Sequence, residues 1–322
     1  MEPMLLKPVG KDYLWGGTRL KTEYKKQIDI TPLAETWECS VHPDGPSLID
    51  NGKFAGMTLE EVLQTHPEFM GTNVDIESGF PIMVKFIDAQ KDLSVQVHPD
   101  DEYAKEHEHQ NGKTEMWYVM DACPGASLVC GFAHDVTPNQ LRDAVKKGTL
   151  TEHLQKVDVH RGDVFFIPAG TIHAIGAGAL IAEIQENSNV TYRVYDYDRV
   201  DKNGQKRELH IDKALEVLDM QASDTMHRKS RIIHYNPSCE REVLCSCRYF
   251  ETEKILMSKE FLFSVLDTSF QVILCLEGSG MIEAGEDDVN VVHFSKGDCV
   301  FLPAGLGRCH VTGEAELLKV KC

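Results

Sequence analysis

Basic stripes, long apolar runs and paired-cysteine motifs are all missing from this 322-residue chain. Nothing approaches the ~18 consecutive apolar residues of a membrane-spanning helix, which argues against a helical membrane protein. The opening MEPMLLKPVGKDYLWGG lacks the basic-then-apolar layout of a secretory leader, so a cytoplasmic setting is expected. The 51 acidic residues outnumber the 33 Lys and Arg, for a net charge of −18. With no basic stripe, neither a nucleic-acid backbone nor an anionic membrane surface is an expected partner. An anionic small molecule remains admissible, provided Lys and Arg cluster locally around it. The ten cysteines are scattered, and Cys245 and Cys247 do not form a CxxC pair. Neither a thioredoxin motif nor a Cys₄ zinc site is suggested, and reduced thiols are expected.

Helical patterning is scarce as well. Met57–Met70, Thr137–Leu154 and Ile211–Met220 carry helical spacing or capping signals, the second opening with Thr-Pro-Asn-Gln. Most of the rest consists of short β runs cut by Gly, Pro, Asn and Asp, among them PIMVKFI, LSVQVH, EMWYVM, DVFFIP and LIAEIQ. The pattern predicts a mainly β fold, a sandwich or barrel with a few short helices. At 322 residues the chain suits about two domains of ~100–200 residues or one large β domain.

An internal repeat favours two. RGDVFFIPAGTIHAIG at 161–176 recurs as KGDCVFLPAGLGRCHV at 296–311, with Gly162, Asp163, Phe166, Pro168, Ala169 and Gly170 matching Gly297, Asp298, Phe301, Pro303, Ala304 and Gly305. Basic-Gly-Asp makes one turn, four apolar residues a buried strand, and Pro-Ala-Gly a second turn. Two copies of one β unit imply a division in the polar stretch Ser223–Ser238, giving units 1–230 and 231–322. His173 in the first copy stands opposite Arg308 in the second, so only the first is expected to bind a metal there.

Strand alternation puts Ser94, Gln96 and His98 on one face, with Val95 and Val97 on the other. Glu115 begins the next strong strand, where a hairpin can bring it opposite His98, and His173 follows the Pro-Ala-Gly turn. Gln96, His98, Glu115 and His173 form a mixed N/O set with room for water or substrate, as a catalytic rather than structural zinc requires. Among 14 histidines, His42, His107, His109, His134 and His153 have no comparable pattern.

Gly162, Pro168, Gly170 and His173 form G-x₅-P-x-G-x₂-H, which resembles the second cupin motif. Generic cupins carry H-x-H in the first motif, whereas this chain carries Gln96-Val97-His98. That departure, with PIMVKFIDA, QVHPDDEYA, GKTEMWY, ENSNVTYRVYDYDR and the opening DYLWGGTRL and AETWECSVHP, closely resembles the type I phosphomannose isomerases, in their short bacterial form without a large helical insertion. The resemblance implies two cupin (jelly-roll-like) β-barrels and interconversion of mannose 6-phosphate and fructose 6-phosphate through an enediol, with one Zn²⁺ per chain. It implies Arg193 as the active-site arginine, Lys85, Ser94 and Arg199 as substrate-side groups with Arg199 on the phosphate, and Glu183 or Lys113 as proton carrier alongside a metal-bound water. A generic cupin would take Glu102 as carboxylate ligand, whereas the isomerase family takes Glu115. Readings from outside this family are another metal-dependent cupin enzyme, including an iron dioxygenase, and a non-catalytic sugar-binding cupin.

Overall fold

Period-two alternation of apolar residues, with both phases apolar in several strands, dictates a fold in which sheets are covered on both faces. The computed structural model describes residues 1–200, 203–223, 231–285 and 289–322, and the strands in them fall into three sheets. The middle sheet has six strands in the order Val164–Ile167, Glu115–Ala122, Ala179–Glu186, Ile82–Asp88, Glu35–Cys39 and Val9–Lys11. Five strands, Tyr192–Tyr195, Val95–Val97, His173–Ile175, Ser127–Phe132 and Leu154–Asp158, make a second sheet. A ten-stranded sheet is built mostly from 231–321, with Met4–Lys7 and Leu48–Ile49 added at one side.

Every residue of Ile82–Asp88 and of Ala179–Glu186 is buried, because each face of the middle sheet has its own partner. Ile82, Val84 and Phe86, with Met116 and Tyr118, pack with Val272, Leu274, Phe301 and Val320 of the ten-stranded sheet. Ile87, Trp117, Val119 and Phe165 pack instead with Leu128, Cys130 and Ile175 of the five-stranded sheet. Each such side chain contributes roughly 1.5–3 kcal/mol of burial free energy. A further core, including Ile273, Cys275, Val300 and Leu302, is enclosed by the ten-stranded sheet itself.

The described residues contain five α-helices, all short. Thr58 closes a capping box on Leu59–Thr65, but Pro67 stops that helix and Pro67–Met70 continues as a 3₁₀ turn, splitting the segment expected to be one helix. Thr137 caps Pro138–Lys147, which ends where Gly148 turns left-handed at φ 69°. The third expected helix spans Ile211–Val217. Asp100 caps Asp101–His107, so the mostly exposed acidic run at Asp100-Asp101-Glu102 opens a short helix. No helix among the described residues is long and apolar enough to cross a membrane.

The repeat holds through its strand and then changes phase. Val300 and Leu302 face inward as Phe165 and Ile167 do, at the constant offset. After Gly307, at φ 84°, the inward positions pass to Cys309 and Val311, while Arg308 is exposed. The second copy therefore presents Cys309, not Arg308, on the inner face that His173 occupies in the first. The division expected at 230/231 falls in 224–230, outside the described residues. Met4–Lys7, from the start of the sequence, is hydrogen-bonded to Cys299–Leu302.

Candidate active site

Two rows of in-register residues face each other across the gap between the six- and five-stranded sheets. In the five-stranded sheet, Gln96 is the cross-strand neighbour of both Arg193 and His173. In the six-stranded sheet, Glu183 is the neighbour of both Lys85 and Trp117. In-register residues of adjacent strands share a face, so each row is delivered to one surface. The Trp117 and His173 rings, 5.4 Å apart and nearly perpendicular, join the rows.

His98, Glu115 and His173 converge in the buried floor of this gap. His98 Nδ1 lies 2.8 Å from the Val190 carbonyl and His173 Nδ1 lies 2.9 Å from the Thr171 carbonyl. A carbonyl only accepts, so each Nδ1 carries the proton and each Nε2 presents a lone pair. The two Nε2 atoms are 3.1 Å apart, and each is within 3.6 Å of a Glu115 oxygen. Burial, then Lys113, holds His173 down at about 4; burial, with Lys113 and His173, holds His98 well below its ordinary range. Both rings are thus neutral and available as ligands at neutral pH. The Gln96 amide ends 3.3 Å from His173 Nε2. Glu115 Oε1 is buried without a hydrogen-bond partner. Lys113 reaches Glu115 Oε2 and His98 Nε2 but leaves Glu115 Oε1 and the close pair of Nε2 lone pairs without a cation between them, so the donor set fits a metal ion. Glu102, by contrast, sits in the first turn of the Asp101–His107 helix, outside this convergence.

Above the floor opens a cleft of about 270 Å³, lined by Lys85, Ser94, Gln96, Lys113, Glu183 and Arg193 among others. Glu183 accepts a hydrogen bond from Trp117 Nε1 at 2.9 Å, and its other oxygen faces Lys85 at 3.5 Å and Lys113 at 3.7 Å. Burial pushes its carboxyl up, but Lys113 and Lys85 outweigh burial and hold it below the usual range. The Lys113 ammonium lies against Glu115 Oε2 and 3.1 Å from His98 Nε2. Ser94 Oγ is 3.5 Å from Gln96 Oε1. Arg193 Nη1 donates to the Glu208 carbonyl at 2.9 Å.

Arg199 does not line the cleft; its guanidinium is bound to Asp196 and to the Asp92 carbonyl. The cleft also contains groups that the sequence did not single out, notably Arg207, Glu35, Tyr13 and Asn189. Glu35 is held by Trp37 Nε1 at 2.8 Å and faces Lys85 at 3.8 Å. Its E-T-W spacing, two residues before Trp37 on a strand, was the available signal; Arg207 carried none.

Behind the site, Glu186 Oε1 accepts the Thr114 N–H at 2.6 Å. Burial, opposed by that bond and reinforced by Asp101, pushes this carboxyl up to about 8. The folded protein keeps a proton that the unfolded chain releases near 4.5, so stability falls as pH rises between those values. Glu186→Gln imitates the protonated acid. It is expected to raise the melting temperature by about 2–4 °C near pH 8.5 and leave it unchanged near pH 4.5. An equal shift at both pH values would show that charge is not the cause.

A buried His₂Glu floor beneath a cationic cleft between antiparallel sheets defines a cupin-type protein with a metal-compatible site. Residues 4–132 match the model for the type I phosphomannose isomerase catalytic domain, and residues 240–322 the model for the mannose-6-phosphate isomerase cupin domain. The mannose-6-phosphate isomerase ManA of Bacillus subtilis (strain 168) is 38% identical over 321 residues, covering 98% of both chains. That of Streptococcus mutans is 36% identical, covering 98% of this chain and 97% of its own. The crystal structure of a mannose 6-phosphate isomerase from Bacillus subtilis superposes with a TM-score of 0.91 at 34% identity, covering 99% of each chain. The chain belongs to the type I phosphomannose isomerase family.

Proposed function

We propose that this protein is a zinc-dependent aldose–ketose isomerase that interconverts mannose 6-phosphate and fructose 6-phosphate through an enediol. The observation that carries the reading is the convergence of His98, Glu115 and His173 directly beneath a cleft lined by Lys85, Lys113 and Arg193. Gln96, His98, Glu115 and His173 would hold the zinc, which when bound supplies Lewis-acid polarisation of the sugar oxygens.

The remaining work falls to side chains of the cleft. Isomerisation moves a proton from C2 to C1 of the open-chain sugar and shifts the carbonyl from C1 to C2. Glu183, kept ionised by Lys113 and Lys85, takes and returns the carbon-bound proton, and the Lys113 ammonium serves the adjacent oxygens. Arg193 shares the negative charge that develops as the enediol forms. Lys85, held by Glu35 and Glu183, and Ser94 orient the sugar hydroxyls.

The same reading makes the two repeat units a pair of cupin barrels, only the first bearing metal, and places the enzyme in the cytoplasm. Its support is the shared inward phase of Phe165 and Val300 and the change of phase before Cys309.

A coupled assay for fructose 6-phosphate formed from mannose 6-phosphate tests the reaction and the metal together. Activity is expected in the native protein, lost on chelation and restored by zinc. A folded, zinc-loaded sample with no turnover would overturn the assignment in favour of a sugar-binding role or another sugar phosphate.

A further inference from the structure

Three guanidiniums, Arg193, Arg199 and Arg207, stand at one end of the cleft, and they are not equivalent. Asp196 accepts from Arg207 Nε at 2.8 Å and from Arg207 Nη2 at 2.6 Å. The same carboxylate accepts from Arg199 Nε at 3.1 Å and from Arg199 Nη2. Arg199 Nη1 is engaged as well, by the Asp92 carbonyl, and its face lies 5.2 Å from the Tyr197 ring. Every nitrogen of Arg199 is thereby committed to the protein. In Arg207 the clamp uses Nε and Nη2 and leaves Nη1 out of it, and Arg207 lines the cleft where Arg199 does not.

The residues following Arg207 hold Arg193. The Glu208 carbonyl receives Arg193 Nη1, and the Glu208 side chain is 83% exposed. Main-chain N–H of Arg193 donates to His210 Nδ1 at 3.1 Å, and His210 N–H donates to the Arg193 carbonyl at 2.7 Å. Arg193 Nε remains a buried donor with no acceptor. Burial and then the neighbouring Arg207 pull Arg193 below its ordinary range, the effect of two like charges sharing one place. Lys85, Lys113, Arg193 and Arg207 line the cleft with Glu35 and Glu183; with Glu115 on Lys113, and Asp196 shared by Arg207 and Arg199, five cations meet four carboxylates, a surplus of one in a protein of net charge −18. A phosphate monoester carries about −1.5 to −2 at neutral pH.

We propose that Arg207 grips the substrate's phosphate while Arg193 serves the reacting carbons, and that Arg199 is the tether that fixes Asp196 and through it aims Arg207. The inference deepens the sugar-phosphate reading and rests on it. A planar guanidinium fixed on a carboxylate through Nε and Nη2 holds Nη1 in a set direction, which favours an anion there over a neutral hydroxyl. Arg207→Ala leaves Asp196 paired to Arg199, which limits the loss of stability.

The test is calorimetric titration of zinc-loaded protein with inorganic phosphate, together with KM and kcat for mannose 6-phosphate. Arg207→Ala is expected to weaken phosphate binding and raise KM by about 10- to 100-fold, with kcat within about threefold. Arg207→Lys is expected to fall between Arg207→Ala and the parent, and replaces it as the test variant if the alanine protein does not fold. Arg199→Ala frees Asp196 but leaves Arg207 in the cleft, and is expected to weaken phosphate binding by about three- to fivefold, well short of Arg207→Ala; Arg199→Lys, which keeps a cation on Asp196, is expected to recover part of that loss. The proposal is overturned if Arg199→Ala weakens phosphate as much as Arg207→Ala, or if Arg207→Ala binds phosphate normally. Phosphate binding lost in Arg207→Ala without any isomerase activity in the parent would uphold the anion site and sink the reaction; normal turnover with unaltered phosphate affinity would do the reverse.

Discussion

Replacing His173 with alanine is expected to release the metal and lower kcat/KM on the order of 10³-fold, since the polarising cation is among the largest sources of transition-state stabilisation in a site of this kind. Metal content after dialysis, read by atomic emission, is the direct measurement, with turnover alongside it. His173 is fully buried and bonded through Nδ1 to the Thr171 carbonyl, so alanine also leaves a cavity and an orphaned acceptor. Those costs are on the order of 2–3 kcal/mol and appear as a lower melting temperature whether or not metal is involved. His173→Leu separates the effects because it refills much of the space without offering a donor atom. If the leucine protein keeps both its metal and its activity, His173 is not a ligand and the convergence with His98 and Glu115 is structural.

Glu183→Gln carries the second large effect, a fall in kcat of about 10²- to 10⁴-fold with KM changed far less. The amide oxygen still accepts from Trp117 Nε1, so the side chain is held in place while the charge is removed. Lys85 keeps Glu35 and Lys113 keeps Glu115, which limits the loss of stability. Exchange of the substrate's C2 hydrogen with solvent deuterium reads the proton transfer itself and should fall in parallel with kcat. Undiminished exchange in Glu183→Gln would move the proton-carrier role away from Glu183, and Lys113→Met then becomes the informative variant.

The floor of the site was legible because strand chemistry and ligand chemistry coincide there. Period-two alternation places Ser94, Gln96 and His98 on one face, and the Pro-Ala-Gly turn leads directly into the strand that His173 opens. The antiparallel register that joins Arg193, Gln96 and His173 into one row is a property of strand pairing, which local sequence does not encode. Arg199 and Arg207 show the same limit more sharply. Both stand in a polar stretch after a strand, and only the three-dimensional position of Asp196 assigns one to the cleft and the other to a tether. Helix existence was readable from Thr58 and Thr137 as caps, while helix length was set by Pro67 and by the left-handed turn at Gly148. The repeat marked a strand common to both units and matched His173 to Arg308, because residue-for-residue matching cannot register a change of phase after Gly307.

The strand Gly307–Lys321 pairs with Glu251–Met257, Glu260–Val265 and Gln271–Ala284, so it is the seam of the ten-stranded sheet. Ribosomes make proteins from the N-terminus, and this segment emerges after every other strand described. Until it emerges, the apolar side of the middle sheet contributed by Ile82, Val84 and Phe86 lacks Leu318 and Val320 to close over it. A nascent chain released early would expose a sticky wall directly behind a nearly complete active site. Messages truncated before residue 321 should therefore yield aggregates and work for chaperones rather than a smaller working enzyme.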